Sequence, residues 1–143
     1  MQAANGGGTM YILVIDAQGG GIGRQLITEI KSRKPELTVH AVGTNAAATQ
    51  AMLKAGADLC ATGENAVIVA CRKADVIIGP IGIAIADSML GEVTPAMALA
   101  VGQSDAKRIL IPFQHCGSSI VGVSETNTGK LIQEAVKNLL ETE

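Results

Sequence analysis

Residues 11–26, YILVIDAQGGGIGRQL, begin as an apolar run and pass through a cluster of glycines into a segment of helical period. The run from Tyr11 to Ile15 is continuously apolar, which is typical of a central parallel strand covered on both faces. The glycines permit positive φ angles or the close approach of another backbone or a ligand. A strand, a glycine turn and a helix in succession predict the first unit of a parallel α/β sheet.

Strand-length apolar runs alternate with helical segments along the rest of the chain. Strands are predicted at 38–42, 57–61, 76–78, 107–111 and 120–123, and helices at 22–34, 46–55, 64–72 and 131–140. This alternation predicts one doubly wound, Rossmann-like parallel sheet of order 3-2-1-4-5, with 120–123 as a sixth strand and helices on both faces. We expect residues 1–9 to be a flexible lead-in and residues 10–143 to form this domain.

The composition argues against several classes of partner. The chain has 143 residues, a formal net charge of −2, one Phe, one Tyr and no Trp. Balanced charges and missing aromatic platforms disfavour nucleic acid, and no apolar run approaches the length of about 18 residues that a membrane span needs. The three cysteines form no CxxC pair, which favours reduced thiols. We therefore expect a soluble, cytoplasmic protein.

The segments that follow the predicted strands share one chemistry. Glycine or hydrogen-bonding residues occur in all of them: DAQGGGIG (16–23), GTN (43–45), ATGEN (61–65), GPIG (79–82) and PFQHCG (112–117). In a doubly wound sheet such segments lie at the carboxyl edge, where ligands bind at the point of strand-order reversal. The pattern predicts a small-molecule cleft between the first and fourth strands.

The glycine loop partly matches dinucleotide-binding loops. Gly20 and Gly23 fit the second and third glycines of GxGxxG, whereas Gln18 takes the place of the first, and residues 21–23 resemble the GIG end of the loop of short-chain dehydrogenases. Free amides at a helix start attract phosphate. We therefore expect a phosphorylated small molecule, with NAD or NADP as candidate cofactors. The expected binding residues are Gln18, Gly19, Gly20, Gly21, Ile22, Gly23, Arg24, Thr44, Asn45, Gly79, Pro80, Ile81 and Gly82. The alternative is a structural turn that packs the first helix on the sheet.

The sequence departs from the dinucleotide pattern at two places. The acidic residue that holds the ribose of NAD, about 20 residues beyond the loop, is replaced by Gly43, Thr44 and Asn45. The only tyrosine, Tyr11, lies in the first strand, so the catalytic tyrosine of short-chain dehydrogenases is missing. Reductase chemistry therefore does not follow from the loop alone.

Two carboxylates are candidates for acid/base catalysis. Asp16 ends the first strand beside the glycine loop, and Glu64 begins a helix at the predicted cleft. The alternative for Asp16 is a turn in which it accepts hydrogen bonds from loop amides, and the alternative for Glu64 is stabilisation of its helix through the dipole. His115 and Cys116 are adjacent in an extended segment and point to opposite sides, which argues against a nucleophile–base pair. No metal site is predicted, because the cysteines and histidines lack ligand spacing.

The segment 83–102 is longer than a single crossover needs. Thr94 and Pro95 fit the N-cap and first position of a helix inside it. Its apolar residues exceed what one crossover buries: Ile85, Met89, Leu90, Val93, Met97 and Leu99. An exposed apolar patch of this kind marks an interface, so we expect a homo-oligomer. The alternative is that the segment forms a lid or one wall of the cleft beside the point where the strand order reverses.

Five segments together resemble a family of small bacterial proteins catalogued as domain of unknown function 3842. They are IDAQGGGIG (15–23), GTNAAATQAMLKAGAD (43–58), ATGENAVIV (61–69), IIGPIGIAIADSMLGEVTPAMA (77–98) and KRILIP (107–112). The resemblance covers about residues 10–140 and implies no activity, substrate or catalytic residue.

Three functions stay open at this point. The first is a nucleotide- or dinucleotide-binding protein, including an NAD(P)-linked oxidoreductase. The second is a small enzyme that acts on a phosphorylated or carboxylated metabolite, with Asp16 or Glu64 as its acid or base or as the group that holds a metal. The third is a non-catalytic sensor or assembly subunit that uses the fold as a scaffold.

Overall fold

Strands and helices alternate along the whole described chain. The computed structural model describes residues 9–112, 117–124 and 127–142. Its elements are β1 (Ile12–Asp16), α1 (Gly21–Arg33), β2 (Val39–Gly43), α2 (Ala46–Lys54), β3 (Leu59–Thr62), α3 (Glu64–Lys73), β4 (Val76–Pro80), a 3-10 turn (Ile81–Ala84), α4 (Pro95–Gln103), β5 (Lys107–Ile111) and α5 (Thr128–Leu140). Among the helices of the described residues, none is both long and apolar enough to span a membrane.

The strands form one parallel sheet of order β3-β2-β1-β4-β5, which confirms the predicted order. Strand β1 lies at the centre and is buried on both faces. Its alternate side chains enter two separate cores, because successive residues of a strand point to opposite faces. Ile12 and Val14 pack with residues of α1, α2 and α5, whereas Leu13 and Ile15 pack with residues of α3 and α4. The helices therefore cover both faces of the sheet, as predicted.

The predicted sixth strand is wrong. Residues 120–123 form a turn, in which Gly122 has φ 90° and the Val121 side chain is 96% exposed. The glycine conformation bends the chain out of the extended geometry that pairing with β5 requires. The apolar run Ile120–Val123 therefore has a strand-like composition without the neighbours that would bury it.

The segment between β4 and α4 contains an unusual left-handed turn. Asp87, Met89 and Leu90 have positive φ angles of 65°, 56° and 59°, and Gly91 follows at 86°. Each left-handed non-glycine residue costs roughly 1–2 kcal/mol of backbone strain. We refer to residues 87–91 as the left-handed turn.

Helix α4 begins as the sequence predicts. The hydroxyl of Thr94 accepts a hydrogen bond from the amide of Met97 at 3.1 Å, and Pro95 takes the first helical position. Val93 and Met97 are buried in the chain's own core, whereas Leu90 and Leu99 stay exposed. Only part of the apolar surface that suggested self-association is therefore available to a partner.

Candidate functional site

A cavity of about 570 Å³ opens at the carboxyl end of β1 and β4, where the strand order reverses. The glycine loop and the start of α1 form one wall, and Pro80 with the left-handed turn forms another. The residues that line the cavity are Asp16, Ala17, Gln18, Gly19, Gly20, Gly21, Ile22, Gln25, Pro80, Met89, Leu90 and Thr128. The cleft predicted between the first and fourth strands is therefore present as a cavity.

Asp16 lies in the wall of this cavity and is only 3% exposed. Its Oδ1 accepts a hydrogen bond from the amide of Ala17 at 2.7 Å, and its Oδ2 accepts one from the amide of Gly23 at 2.6 Å. Burial raises the pKa of Asp16 above its ordinary value, and the negative charge of Glu92 adds to the rise, while the loop amides oppose it. These contacts match the alternative interpretation of Asp16, in which its side chain accepts hydrogen bonds from loop amides and stabilises the turn.

Gly20 and Gly23 are required by packing. Gly20 has φ 73°, and a Cβ there would lie 2.9 Å from the backbone of Ala48 in α2. A Cβ on Gly23 would lie 2.6 Å from the sulfur of Met52. These two glycines allow the loop and α1 to pack closely against α2. This agrees with the alternative in which the loop is a structural turn that packs the first helix. At Gly21, in contrast, a Cβ would enter open space.

Most amides of the loop already have acceptors inside the protein. The amide of Gly20 donates to the carbonyl of Ala17 at 3.0 Å, and the amide of Gly23 donates to Asp16. The expected anion contact along residues 20–23 is therefore partly occupied by the chain itself. Within residues 9–112, the amides of Gly19 and Gly21 have no protein acceptor.

Glu92 connects three loops and was not among the predicted site residues. Its Oε1 accepts hydrogen bonds from the Gln18 amide at 2.7 Å and from the Thr44 hydroxyl and Asn45 side-chain amide, both at 2.8 Å. Burial acts to raise the pKa of Glu92, but these three hydrogen bonds outweigh it and hold the pKa below its ordinary value. An acidic side chain from a distant segment thus stands at the end of β2, where the sequence itself supplies none.

Thr44 and Asn45 lie beside the loop but do not line the cavity. Besides contacting Glu92, Asn45 caps α2 by accepting the Ala48 amide at 2.8 Å and donates to the carbonyl of Gln18 at 3.0 Å. Thr44 and Asn45 therefore lie at the predicted edge of the sheet, and their side chains form hydrogen bonds that connect the loops.

Glu64 and Arg24 do not line the cavity. Glu64 is exposed and accepts a hydrogen bond from the Thr94 hydroxyl at 2.6 Å, which joins the start of α3 to the start of α4. The Arg24 residue is exposed on α1. The structure therefore separates the two candidate acid/base residues, and Asp16 alone lies at the cavity.

The residues of the GPIG segment (79–82) have different roles: Gly79 is needed for strand packing, and Pro80 lines the cavity. Gly79 lets β4 pass against the carbonyl oxygen of Ile15, which a Cβ would strike. Pro80 lines the cavity, whereas Ile81 and Gly82 begin the 3-10 turn and do not reach it. Sequence reasoning missed Ala17, Gln25 and Thr128 as cavity residues. It left the segment with Met89 and Leu90 open between a subunit interface and a wall of the cleft, and only the folded chain shows that these two residues line the cavity.

None of the described cysteine or histidine side chains lines the cavity. Burial raises the pKa of the Cys71 thiol to about 11, which keeps it protonated and unreactive. His40 stacks on Tyr11 with ring centroids 3.8 Å apart. His115 and Cys116 lie outside the described residues. In the part of the chain that the structure describes, no group of three His, Cys, Asp or Glu residues is arranged to hold a metal.

We expect Glu92→Ala to destabilise the protein by about 1–3 kcal/mol, because three donors lose their shared acceptor. Glu92→Gln keeps an oxygen acceptor and should lower the free energy of unfolding by less.

The stability that Glu92 contributes should depend on pH. Because the folded pKa of Glu92 is lowered, its charge stabilises the protein above the unfolded pKa of about 4.3, and this stabilisation is lost as the pH falls through the folded value. Urea unfolding should therefore show a gap between wild type and Glu92→Gln at neutral pH that closes on acidification. The exposed Glu36→Gln is the control, and a gap that is constant with pH would contradict the assignment.

Comparison with known proteins identifies the family and leaves the ligand open. No curated protein matches the chain. A solved structure, the dodecameric FMN-dependent UbiX-like decarboxylase of Escherichia coli O157:H7, is similar with 14% sequence identity over 92% of each chain and a TM-score of 0.43. A similarity of this size assigns neither a ligand nor a reaction to the present chain. The sequence profile of the family described as "Domain of unknown function (DUF3842)" matches residues 11–143, and the chain belongs to this family.

Proposed function

We propose that this protein binds a small nucleotide-like molecule, with a flat ring system and polar substituents, in the cavity between the glycine loop and the left-handed turn. The observation that carries the proposal is the position of the cavity at the reversal of strand order, where doubly wound sheets bind ligands. Its volume of about 570 Å³ lies within the range of roughly 300–1,000 Å³ that is common for small-molecule sites.

The apolar wall of the cavity supports a ring-bearing ligand. Pro80, Met89 and Leu90 contribute this wall, and Leu90 is 95% exposed. Leu90 also has a positive φ, so it combines backbone strain with unburied apolar surface. A flat ring placed against Leu90 would remove this surface from water and offset part of the strain.

A dinucleotide such as NAD or NADP has less support than a single nucleotide-like group. The second half of a dinucleotide would extend toward the end of β2. There, Thr44 and Asn45 are hydrogen-bonded to Glu92, and neither lines the cavity. We therefore do not propose an NAD(P)-linked oxidoreductase, and we include NAD and NADP only as test ligands in the binding experiments.

Acid/base catalysis is the second candidate function, and one observation favours it. Asp16 is a nearly buried carboxyl group in the cavity wall whose pKa is raised by burial. A perturbed carboxyl group in a cavity is a candidate general acid or base. Turnover that depends on Asp16 would establish this function.

Self-association stays a prediction. Leu90 and Leu99 are exposed apolar residues from the segment that suggested it. A second copy that covers Leu90 would also complete the wall of the cavity, and this would link oligomer formation to ligand binding.

Gly21→Leu should block the cavity while leaving the fold intact. Its side chain would enter open space beside the ligand, so we expect at least a tenfold loss of affinity and little change in the thermal midpoint. Gly102→Leu is the matched control, because its Cβ also meets nothing and it lies at the far end of α4, outside the cavity lining.

The measurement is calorimetric titration with FMN, NAD, NADP, ATP and coenzyme A, together with mass spectrometry of any small molecule that copurifies. Binding by at least one probe that Gly21→Leu abolishes and Gly102→Leu preserves would support the proposal. Binding that both variants preserve would place the ligand elsewhere, and failure of every probe together with no copurifying ligand would remove the proposal.

A further inference from the structure

We propose that the cavity binds the uncharged, ring-bearing part of its ligand and disfavours phosphate, so that an unphosphorylated nucleoside-like compound is the preferred ligand class. This inference rests on the proposed function. It follows from two carboxylates, Asp16 and Glu92, that stand at a glycine loop whose cavity is lined by no cation among the described residues.

The loop donates three of its amides, those of Ala17, Gln18 and Gly23, to these two carboxylates. Asp16 accepts from the amides of Ala17 and Gly23. Glu92 accepts from the amide of Gln18. A phosphate at a helix start is held by just such amides, and here the protein's own anions hold them. The N-terminal end of α1 is thus partly occupied from within.

The charges around the cavity point the same way. Within the described ranges, the lining residues include Asp16 and neither lysine nor arginine. Arg24, the nearest basic residue along the loop, is exposed on α1 outside the lining. A phosphate dianion brought into this cavity would meet the Asp16 carboxylate without a compensating cation, and like charges at short range repel.

The remaining polar groups suit the edge of a neutral heterocycle. Among the described residues, the amides of Gly19 and Gly21 have no acceptor, and they suit a ring carbonyl. Each oxygen of Asp16 accepts one backbone amide and retains a further lone pair, which suits a ring N–H or a hydroxyl. Gln25 and Thr128 add two neutral polar side chains to the lining. A ring edge that alternates carbonyl and N–H groups matches this set.

The test compares matched pairs of probes that differ by one phosphate: riboflavin with FMN, and adenosine with AMP. Affinities are measured by flavin fluorescence and calorimetry at low salt, with and without Mg²⁺. We expect the unphosphorylated member of a binding pair to bind at least threefold more tightly, with the difference narrowing as salt screens the charges. Equal or tighter binding of the phosphorylated member, in either condition, would overturn the inference and leave the proposed function standing. Failure of all four probes to bind would overturn the inference, whereas the proposed function is removed only if the wider set of probes and the search for a copurifying ligand also fail.

A charge-introducing variant tests whether the assigned wall causes the preference. Gln25→Arg places a cation in the cavity lining, and Thr28→Arg places the same cation one turn further along α1, outside the lining. We expect Gln25→Arg to shift the FMN-to-riboflavin affinity ratio toward FMN by at least tenfold, and Thr28→Arg to leave it close to that of the wild type. Identical ratios in the two variants would show that Gln25 does not face the ligand and would overturn the inference.

Discussion

Gly79→Ala should lower the free energy of unfolding by about 2–4 kcal/mol, because the new methyl group would strike the carbonyl oxygen of Ile15 in the neighbouring strand. A second contact, with Cδ1 of Ile83 at 3.1 Å, is also tighter than an ordinary van der Waals contact. Strands β1 and β4 are paired up to Val14 and Ile78, one residue before this point, and both lie inside the sheet, so their backbones have little freedom to move apart. The substitution should also move Asp16, which follows Ile15 directly.

Urea unfolding at neutral pH measures this effect. Gly102→Ala is the control, because its Cβ would meet no atom within 4 Å. The control variant should be as stable as the wild type or slightly more stable, since alanine favours the helix. A Gly79→Ala protein as stable as the control would show that the approach of β4 to β1 is not as close as described.

Asp16→Asn should lower the free energy of unfolding by about 2–4 kcal/mol at about pH 5, although the two side chains have nearly the same shape. Both carboxylate oxygens accept backbone amides, from Ala17 and from Gly23. An asparagine offers one oxygen and one NH₂ group, so one of the two amides would face a donor and lose its partner inside the protein. The exposed Asp105→Asn is the control and should change stability by less than about 0.5 kcal/mol.

The pH dependence gives the Asp16→Asn comparison a second readout. Burial raises the folded pKa of Asp16, so its contribution to stability is fully present below the unfolded pKa of about 3.9 and is lost as the pH rises through the folded value. Asparagine has no proton to release. The difference in free energy of unfolding between wild type and Asp16→Asn should therefore narrow over the interval in which the pH rises from about 4 through the folded pKa. A difference that widens over this interval would mean that the folded pKa is not raised.

The sequence by itself determined the architecture, because local patterns carry that information. Alternation of apolar runs with segments of helical period predicted the order β3-β2-β1-β4-β5, and the Thr94–Pro95 pair predicted the start of α4. The predicted sixth strand at 120–123 failed because apolar composition reports a tendency to be buried and does not supply the neighbour that buries it. The position of the cavity followed from strand order, since the reversal point is a property of the topology.

Only the tertiary structure decided what the glycine loop does. The amide of Gly23, one of those that suggested a phosphate site, donates to Asp16. Whether a carboxylate bends back onto its own loop depends on backbone angles that the residue order does not state. Glu92 lies 74 positions from Gln18 and yet accepts its amide hydrogen, a contact for which the sequence holds no local signal. Hydrogen bonds and charges act over a few ångströms of space, so the preference of the site is determined by residues that only folding brings together.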